Sequence, residues 1–145
     1  MNIVKFGNIE VGGQNPLVLL AGPCVLEGYE RSLKIGRAIK EITDRLGIPY
    51  VFKASFDKAN RSSYKAYRGP GIDEGLAMLA AIKKELGVPV VSDVHECDQI
   101  EKAAKVLDIM RSRHSFVVRQ TFSKRLLKAA VLLMSKKVSF LRPTI

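Results

Sequence analysis

The sequence predicts an α/β fold: the N-terminal part of a (β/α)8 TIM barrel, preceded by a short β-hairpin and incomplete as it stands. Three observations carry this. Short apolar runs alternate with amphipathic segments of helical period along residues 17–109, the pattern of a parallel sheet with crossover helices. Two helix-to-strand joins repeat, Leu46-Gly47-Ile48-Pro49-Tyr50-Val51 and Leu86-Gly87-Val88-Pro89-Val90-Val91. No Gly-x-Gly-x-x-Gly follows the first apolar run, which removes the main support for a doubly wound dinucleotide-binding sheet. A complete barrel needs about 250 residues, so the 145 residues supply roughly half of one.

The elements follow in order. Residues 3–6 and 9–11 read as a hairpin around the turn signal Gly7-Asn8. Leu17-Val18-Leu19-Leu20 is a continuous apolar run closed by Gly22-Pro23, as expected of a strand buried on both faces. A helix over 29–46 carries Ile35, Ala38, Ile39, Ile42 and Leu46 on one stripe, with Gly47 at its C-terminal cap and Pro49 beyond. Residues 50–54 form a second strand, followed by a polar stretch ending in Arg68-Gly69-Pro70-Gly71. A helix over 73–86, capped by Gly87, leads to a third strand over 88–93. Residues 98–106 read as a third helix, and 106–109 open a fourth strand.

Hydrophobic residues make up 47% of the chain and charged ones 26%, which excludes collagen-like and disordered classes. No apolar run approaches the roughly 20 residues needed to span a bilayer. Met1-Asn2-Ile3-Val4-Lys5 lacks the charged and apolar blocks of a secretory signal. Two cysteines, Cys24 and Cys97, fit a reducing compartment better than a disulfide scaffold, so the expected location is cytoplasmic. The net charge of +10 is unevenly spread: residues 111–145 hold nine basic residues and no acidic one, while residues 1–110 hold 15 basic and 14 acidic. The expected division is therefore 1–110, the hairpin plus about three and a half βα units, and 111–145, a basic tail.

Two non-enzymatic readings of that tail are weighed. Nine cations would neutralise nucleic-acid phosphates, yet Phe116 and Phe122, the aromatics near the tail's first half, are too few for a stacking platform. Residues 124–134 have the composition of a basic amphipathic helix for a membrane surface. The reading adopted has neither nucleic acid nor membrane as partner.

Chemistry concentrates where strands end, because the C-terminal strand ends of parallel α/β folds converge on the active site. Three polar clusters stand there: Ala21-Gly22-Pro23-Cys24, Lys53 to Ser63, and Asp93-Val94-His95-Glu96. Lys53, Lys58 and Arg61 suit an anionic substrate, lysine as a point charge and arginine as a planar fork for phosphate oxygens. Lys53 ends an apolar strand, where a charge is costly unless used. Cys24 is either a soft metal ligand, with His95 and Glu96 as further donors, or a small buried hydrophobe. Asp93 either contacts a substrate hydroxyl, serves as a general base, or caps the third helix, for which Asp98 is better placed. Arg68-Gly69-Pro70-Gly71 is mainly a turn signal.

In this order the clusters resemble the 3-deoxy-D-manno-octulosonate 8-phosphate synthase family, also called 2-dehydro-3-deoxyphosphooctonate aldolase. Phe52-Lys53-Ala54-Ser55-Phe56-Asp57-Lys58-Ala59-Asn60-Arg61-Ser62-Ser63, followed by Arg68-Gly69-Pro70-Gly71, is the most specific part. The resemblance runs continuously over roughly residues 3–109. It implies condensation of phosphoenolpyruvate with D-arabinose 5-phosphate and water, releasing phosphate, in lipopolysaccharide biosynthesis. It implies that Lys53 and Lys58 hold phosphoenolpyruvate and line the reaction centre, with Lys58 and Asp93 as the catalytic pair. Asn60, Arg61 and Ser62 resemble the arabinose phosphate contacts, with Arg61 and Ser62 reaching a neighbouring subunit of a homotetramer. Arg119, in Arg-Gln-Thr, resembles a phosphate contact. Cys24 resembles the ligand of the metal-dependent branch, which implies a divalent metal cofactor. The runner-up is the related synthase that uses erythrose 4-phosphate; Asn60-Arg61-Ser62 argues for arabinose phosphate.

The resemblance breaks after Ile109, where the family runs Gln-Ile-Pro-Ala-Phe. The codons CAG ATC CCG GCA TTC, read one base later, give Arg-Ser-Arg-His-Ser, the run at residues 111–115. The family's Asn-Val-Lys-Lys-Gly-Gln-Phe, shifted likewise, gives Met134-Ser135-Lys136-Lys137-Val138-Ser139-Phe140. Residues 111–115 and about 122–145 therefore read as out-of-frame translation, with Phe116 to Thr121 briefly back in frame. An open half-barrel exposes strand edges and an apolar face, so the polypeptide alone is expected to aggregate and to be inactive.

Overall fold

A computed structural model describes residues 3–58, 63, 65–113 and 132–136, with the side chains of 113 and 132–136 excepted. The chain opens with a hairpin, β1 (Val4–Phe6) and β2 (Ile9–Val11), antiparallel with Phe6 opposite Ile9. Then β3 (Leu19–Ala21), α1 (Tyr29–Leu46), β4 (Tyr50–Lys53), α2 (Ile72–Leu86), β5 (Val90–Asp93), α3 (Gln99–Ala103), β6 (Ile109–Arg113) and β7 (Leu132–Lys136) follow. The sheet order among the described residues is β3-β4-β5-β6-β7, parallel at every step. Strands neighbour one another in chain order, with no reversal of direction across the sheet. This is the connectivity of a barrel wall, not of a doubly wound sheet.

The helices form over the predicted spans, but α1 buries Ser32, Leu33, Gly36 and Thr43; of the predicted stripe Ile35 and Ile39 are half-buried, while Ala38, Ile42 and Leu46 are exposed. α1 ends at Gly47 in the left-handed conformation (φ 66°), with the Gly47 amide donating to Asp44 O at 3.2 Å. α2 ends the same way at Gly87 (φ 63°), so the repeated Leu-Gly-x-Pro join is a repeated helix stop. Tertiary packing of their apolar faces then buries Leu33, Phe52, Leu76, Leu79, Ile82 and Met110 between helices and sheet.

Several predicted elements need correction. The third helix is shorter than 98–106: after Ala103 the chain tightens, with the amides of Val106 and Leu107 both donating to Ala103 O at 3.1 and 2.8 Å. Asp98 stands at its N-cap but makes no side-chain cap bond. The Gln99 Oε1 instead accepts from the amides of His95 (2.8 Å) and Glu96 (3.3 Å). β3 is not buried on both faces. Leu17 is 89% and Leu19 39% exposed, because β3 pairs with β4 alone among the described strands. Part of the predicted basic helix over 124–134 is strand β7, in register with β6 from Ile109↔Leu132 to Arg113↔Lys136. The expected boundary at residue 110 falls inside β6.

Two-residue alternation separates the sheet faces. Val51, Val91 and Ile109 share the inner face with Leu20, and Phe6 and Ile9 of the hairpin pack against them. The hairpin thus closes the N-terminal end of the half-barrel. One step further along the same face stand Lys53, Asp93 and Arg111, with Lys53 in register with Val91 and Asp93 in register with Arg111.

Candidate functional site

The inner face changes from apolar to charged within two residues of each strand. Period-two alternation carries Val51 to Lys53, Val91 to Asp93 and Ile109 to Arg111. The upper row continues across the sheet through Ser55, whose hydroxyl donates to Asp93 Oδ2 at 2.8 Å. Ser55 in turn bridges to Val25, beside Cys24. The C-terminal strand ends therefore do converge, as the fold class requires.

Asp93 is held from two sides. Arg111 grips it in a fork, Nε on Oδ1 and Nη2 on Oδ2, the latter at 2.8 Å. Burial opposes the charge on Asp93, but the hydrogen bonds from Arg111 and Ser55 and the charges of Arg111 and Lys53 outweigh it, holding the carboxyl at about 2. The same contact pushes the Arg111 guanidinium up. Lys53 Nζ reaches Cys24 O and Ser55 Oγ, each at 3.3 Å. Burial pushes its ammonium below the ordinary lysine range. Asp93 opposes that shift, and the charges of Arg111 and Lys58 add to it.

Lys58 sits on the segment after β4. Its amide donates to Arg68 O at 2.6 Å. The Arg68 guanidinium binds Asp57 in a fork of 3.0 and 2.8 Å, and His95 Nε2 lies 3.0 Å from Asp57 O. Arg68-Gly69-Pro70-Gly71 is thus more than a turn: it clasps the Lys58 segment. A Cβ at Gly69 would stand 2.3 Å from Phe56 O, so only glycine allows that close approach. Gly22 has the same role beside Lys53, where a Cβ would meet Lys53 O at 2.1 Å.

Lys53 lies within electrostatic reach of both Asp93 and Lys58. Asn60, Arg61, Ser62 and Arg119 lie outside the described residues. Asp93 does not cap α3, which starts at Gln99. Cys24 is exposed, not a buried hydrophobe. Cys24, His95 and Glu96 do not form a metal-binding group: among the described residues no three His, Cys, Asp or Glu side chains are so placed. His95 turns its ring to Asp57 O and sets it edge-on to Phe56, with centroids 6.4 Å apart. At the C-terminal strand ends the described residues offer a metal one soft donor, Cys24, which is fewer than a site requires. They do not by themselves fit the implied divalent ion.

Sequence reasoning missed Ser55 and Arg111. Both signals were present: Ser55 lies two residues beyond Lys53, and Arg111 two beyond the inward-facing Ile109. In the sequence Arg111 reads with the basic tail because the apolar run of the fourth strand stops at Met110 and Arg111-Ser112-Arg113 follows.

A profile of the DAHP synthetase I family matches residues 1–135. The chain belongs to the DAHP synthetase I family. It is similar to 2-dehydro-3-deoxyphosphooctonate aldolase of Fusobacterium nucleatum subsp. nucleatum, 55% identical over 121 residues, covering 83% of this chain and 43% of the relative. The corresponding protein of Stenotrophomonas maltophilia (strain R551-3) is 47% identical over 141 residues, covering 97% of this chain and 51% of the relative. That of Desulfosudis oleivorans is 48% identical over 141 residues, covering 97% and 50%. The chain spans about half the length of these curated relatives. As a DAHP synthetase I family chain it carries the parallel α/β architecture described above, and no described helix is long and apolar enough to cross a membrane.

Proposed function

We propose that this chain carries the phosphoenolpyruvate-gripping strands of an enzyme that condenses phosphoenolpyruvate with D-arabinose 5-phosphate and water. The products are 3-deoxy-D-manno-octulosonate 8-phosphate and phosphate. One observation carries the reading: Lys53 shares the inner face with Asp93 and lies within electrostatic reach of Lys58. Half-buried cations gathered around a single carboxylate favour multiply charged anions. The names of the curated relatives favour the arabinose phosphate reading over the erythrose 4-phosphate one.

In this mechanism Lys53 and Lys58 neutralise and orient phosphoenolpyruvate, which brings the reacting carbons together without paying for that order at the chemical step. Lys58 stands at the reaction centre. Asp93, held at about 2, stays ionised near neutrality and is a poor proton acceptor there. Its contribution is electrostatic. Asn60, Arg61, Ser62 and Arg119 are proposed to hold the two phosphate groups, with Arg61 and Ser62 serving a neighbouring subunit.

Residues 111–115 and about 122–145 are proposed to be out-of-frame translation, and the polypeptide alone to be inactive. Resequencing the gene tests the first point; a clean read encoding this tail, with no family sequence downstream, overturns it. Phosphoenolpyruvate binding tests the site. Calorimetry is expected to show binding to the purified chain and its loss in Lys53→Ala. Absence of binding by the unaltered chain overturns the functional reading.

A further inference from the structure

We propose that Asp57 and Arg68 are positioning residues for Lys58: their ion pair fixes the segment from which the Lys58 ammonium meets an anionic substrate. The inference rests on the functional reading of Lys58 above and deepens it by naming what aims that side chain.

Lys58 lies beyond the end of β4, which stops at Lys53, so no strand carries it. Its segment is fixed from three directions instead. On the α2 side, Phe56 is fully buried and packed so closely that a Cβ on Gly75 would stand 2.3 Å from Phe56 Cβ. The Gly71 amide donates to Phe56 O at 3.1 Å. From the segment after β5, His95 Nε2 lies 3.0 Å from Asp57 O; a carbonyl only accepts, so the ring nitrogen donates. Arg68 supplies the third. Its guanidinium takes both oxygens of Asp57, at 3.0 and 2.8 Å, and its carbonyl accepts from the Lys58 amide at 2.6 Å. One residue therefore holds Asp57 by its side chain and Lys58 by its backbone. Among the described residues, the Lys58 ammonium takes no hydrogen bond or ion pair of its own. Its backbone is committed and its charge is left for a ligand.

The Arg68 side chain is 59% and Asp57 23% exposed, and so exposed an ion pair adds little to global stability. What it removes is local freedom. Asp57 and Arg68 are 11 residues apart in sequence, and the fork closes that excursion at its neck. Freedom surrendered on folding is not surrendered again when a ligand binds, which lowers the entropic cost of binding. The pair is neutral as a unit, so its effect on Lys58 is geometric and adds no net field.

Charge counting and positioning predict opposite results. Asp57→Asn leaves the Arg68 charge unpaired and would tighten anion binding if only the local field mattered; it weakens binding if the fork aims Lys58. The double variant Asp57→Asn, Arg68→Gln removes the fork at unchanged net charge. The full chain and its variants are titrated with phosphoenolpyruvate by calorimetry, and circular dichroism reports folding. The double variant is expected to bind about three- to tenfold more weakly, with Arg68→Lys between it and the parent. Melting temperatures should move little. In a Lys58→Ala background, where Lys53 still binds, the double substitution is expected to weaken binding no further; a fork that merely supports the fold would weaken it again. Tighter binding in Asp57→Asn, unchanged binding in the double variant, or the same further loss in the Lys58→Ala background overturns the proposal. If the double variant does not fold, Arg68→Lys decides, and parental affinity there overturns it. A parent that binds phosphoenolpyruvate through Lys58 whatever happens to the fork keeps the functional reading and loses this inference; a parent that binds none loses both.

Discussion

Asp93 and Arg111 stand opposite one another in the β5–β6 ladder, and the guanidinium takes both oxygens of the carboxylate. The pair crowns a column whose lower members, Val91 and Ile109, are apolar and sealed by Phe6 and Ile9 of the hairpin. The inner face is thus dry below and charged above, so the charges act where solvent screens them poorly.

The first prediction concerns acid stability. The Asp93 carboxyl lies at about 2 in the folded chain against an ordinary 3.8, so its contribution is present above 3.8 and is lost as pH falls through about 2. Asp93→Asn is expected to lower stability near neutral pH by about 2 kcal/mol. The difference should shrink to nothing in strong acid. Urea denaturation across that range checks it, and a pH-independent difference would contradict the linkage.

A second prediction concerns alkaline pH. Burial lowers the Lys53 pKa, so the ammonium loses its charge as pH rises through a value below the ordinary lysine range. Phosphoenolpyruvate affinity should begin to fall there. Lys53→Arg, which stays charged, should flatten the profile. Dissociation constants measured between about pH 7 and 10 decide; an identical decline in Lys53→Arg counts against Lys53.

Gly22 supplies a third. A Cβ there would stand 2.1 Å from Lys53 O, and the obstacle is backbone, which cannot rotate away. Gly22→Ala is expected to destabilise the chain by about 3 kcal/mol, within the usual range for overpacking, and to weaken phosphoenolpyruvate binding because β3 and the Lys53 strand separate. Thermal unfolding and calorimetry measure both effects. A variant as stable as the parent shows that the approach is looser than described.

The open edge supplies a fourth. Leu17 at 89% and Leu19 at 39% exposure lie at and beside β3, whose outer side pairs with no described strand. Such an edge templates self-association. Light scattering should show concentration-dependent association that a Leu17→Lys, Leu19→Lys double variant reduces. Association unchanged in that variant places the contact elsewhere.

What the sequence determined alone was local. The helix over 29–46, the glycine stops at Gly47 and Gly87, and the period-two hairpin around Gly7-Asn8 each formed where expected from their own residues, although which face of α1 is buried, that of Leu33 and Gly36 and not that of Ile42 and Leu46, was set by packing. Lys53, Lys58 and Asp93 were legible because each ends or follows an apolar strand whose direction is known. Tertiary structure decided what depends on register and neighbours. The exposure of Leu19 follows from which strands flank it, not from its own hydropathy. Arg111 looked like the first residue of a basic tail until the β5–β6 register set it across from Asp93. A one-residue slip would have turned it to the other face of the sheet, and no feature of the tail's composition carries that information.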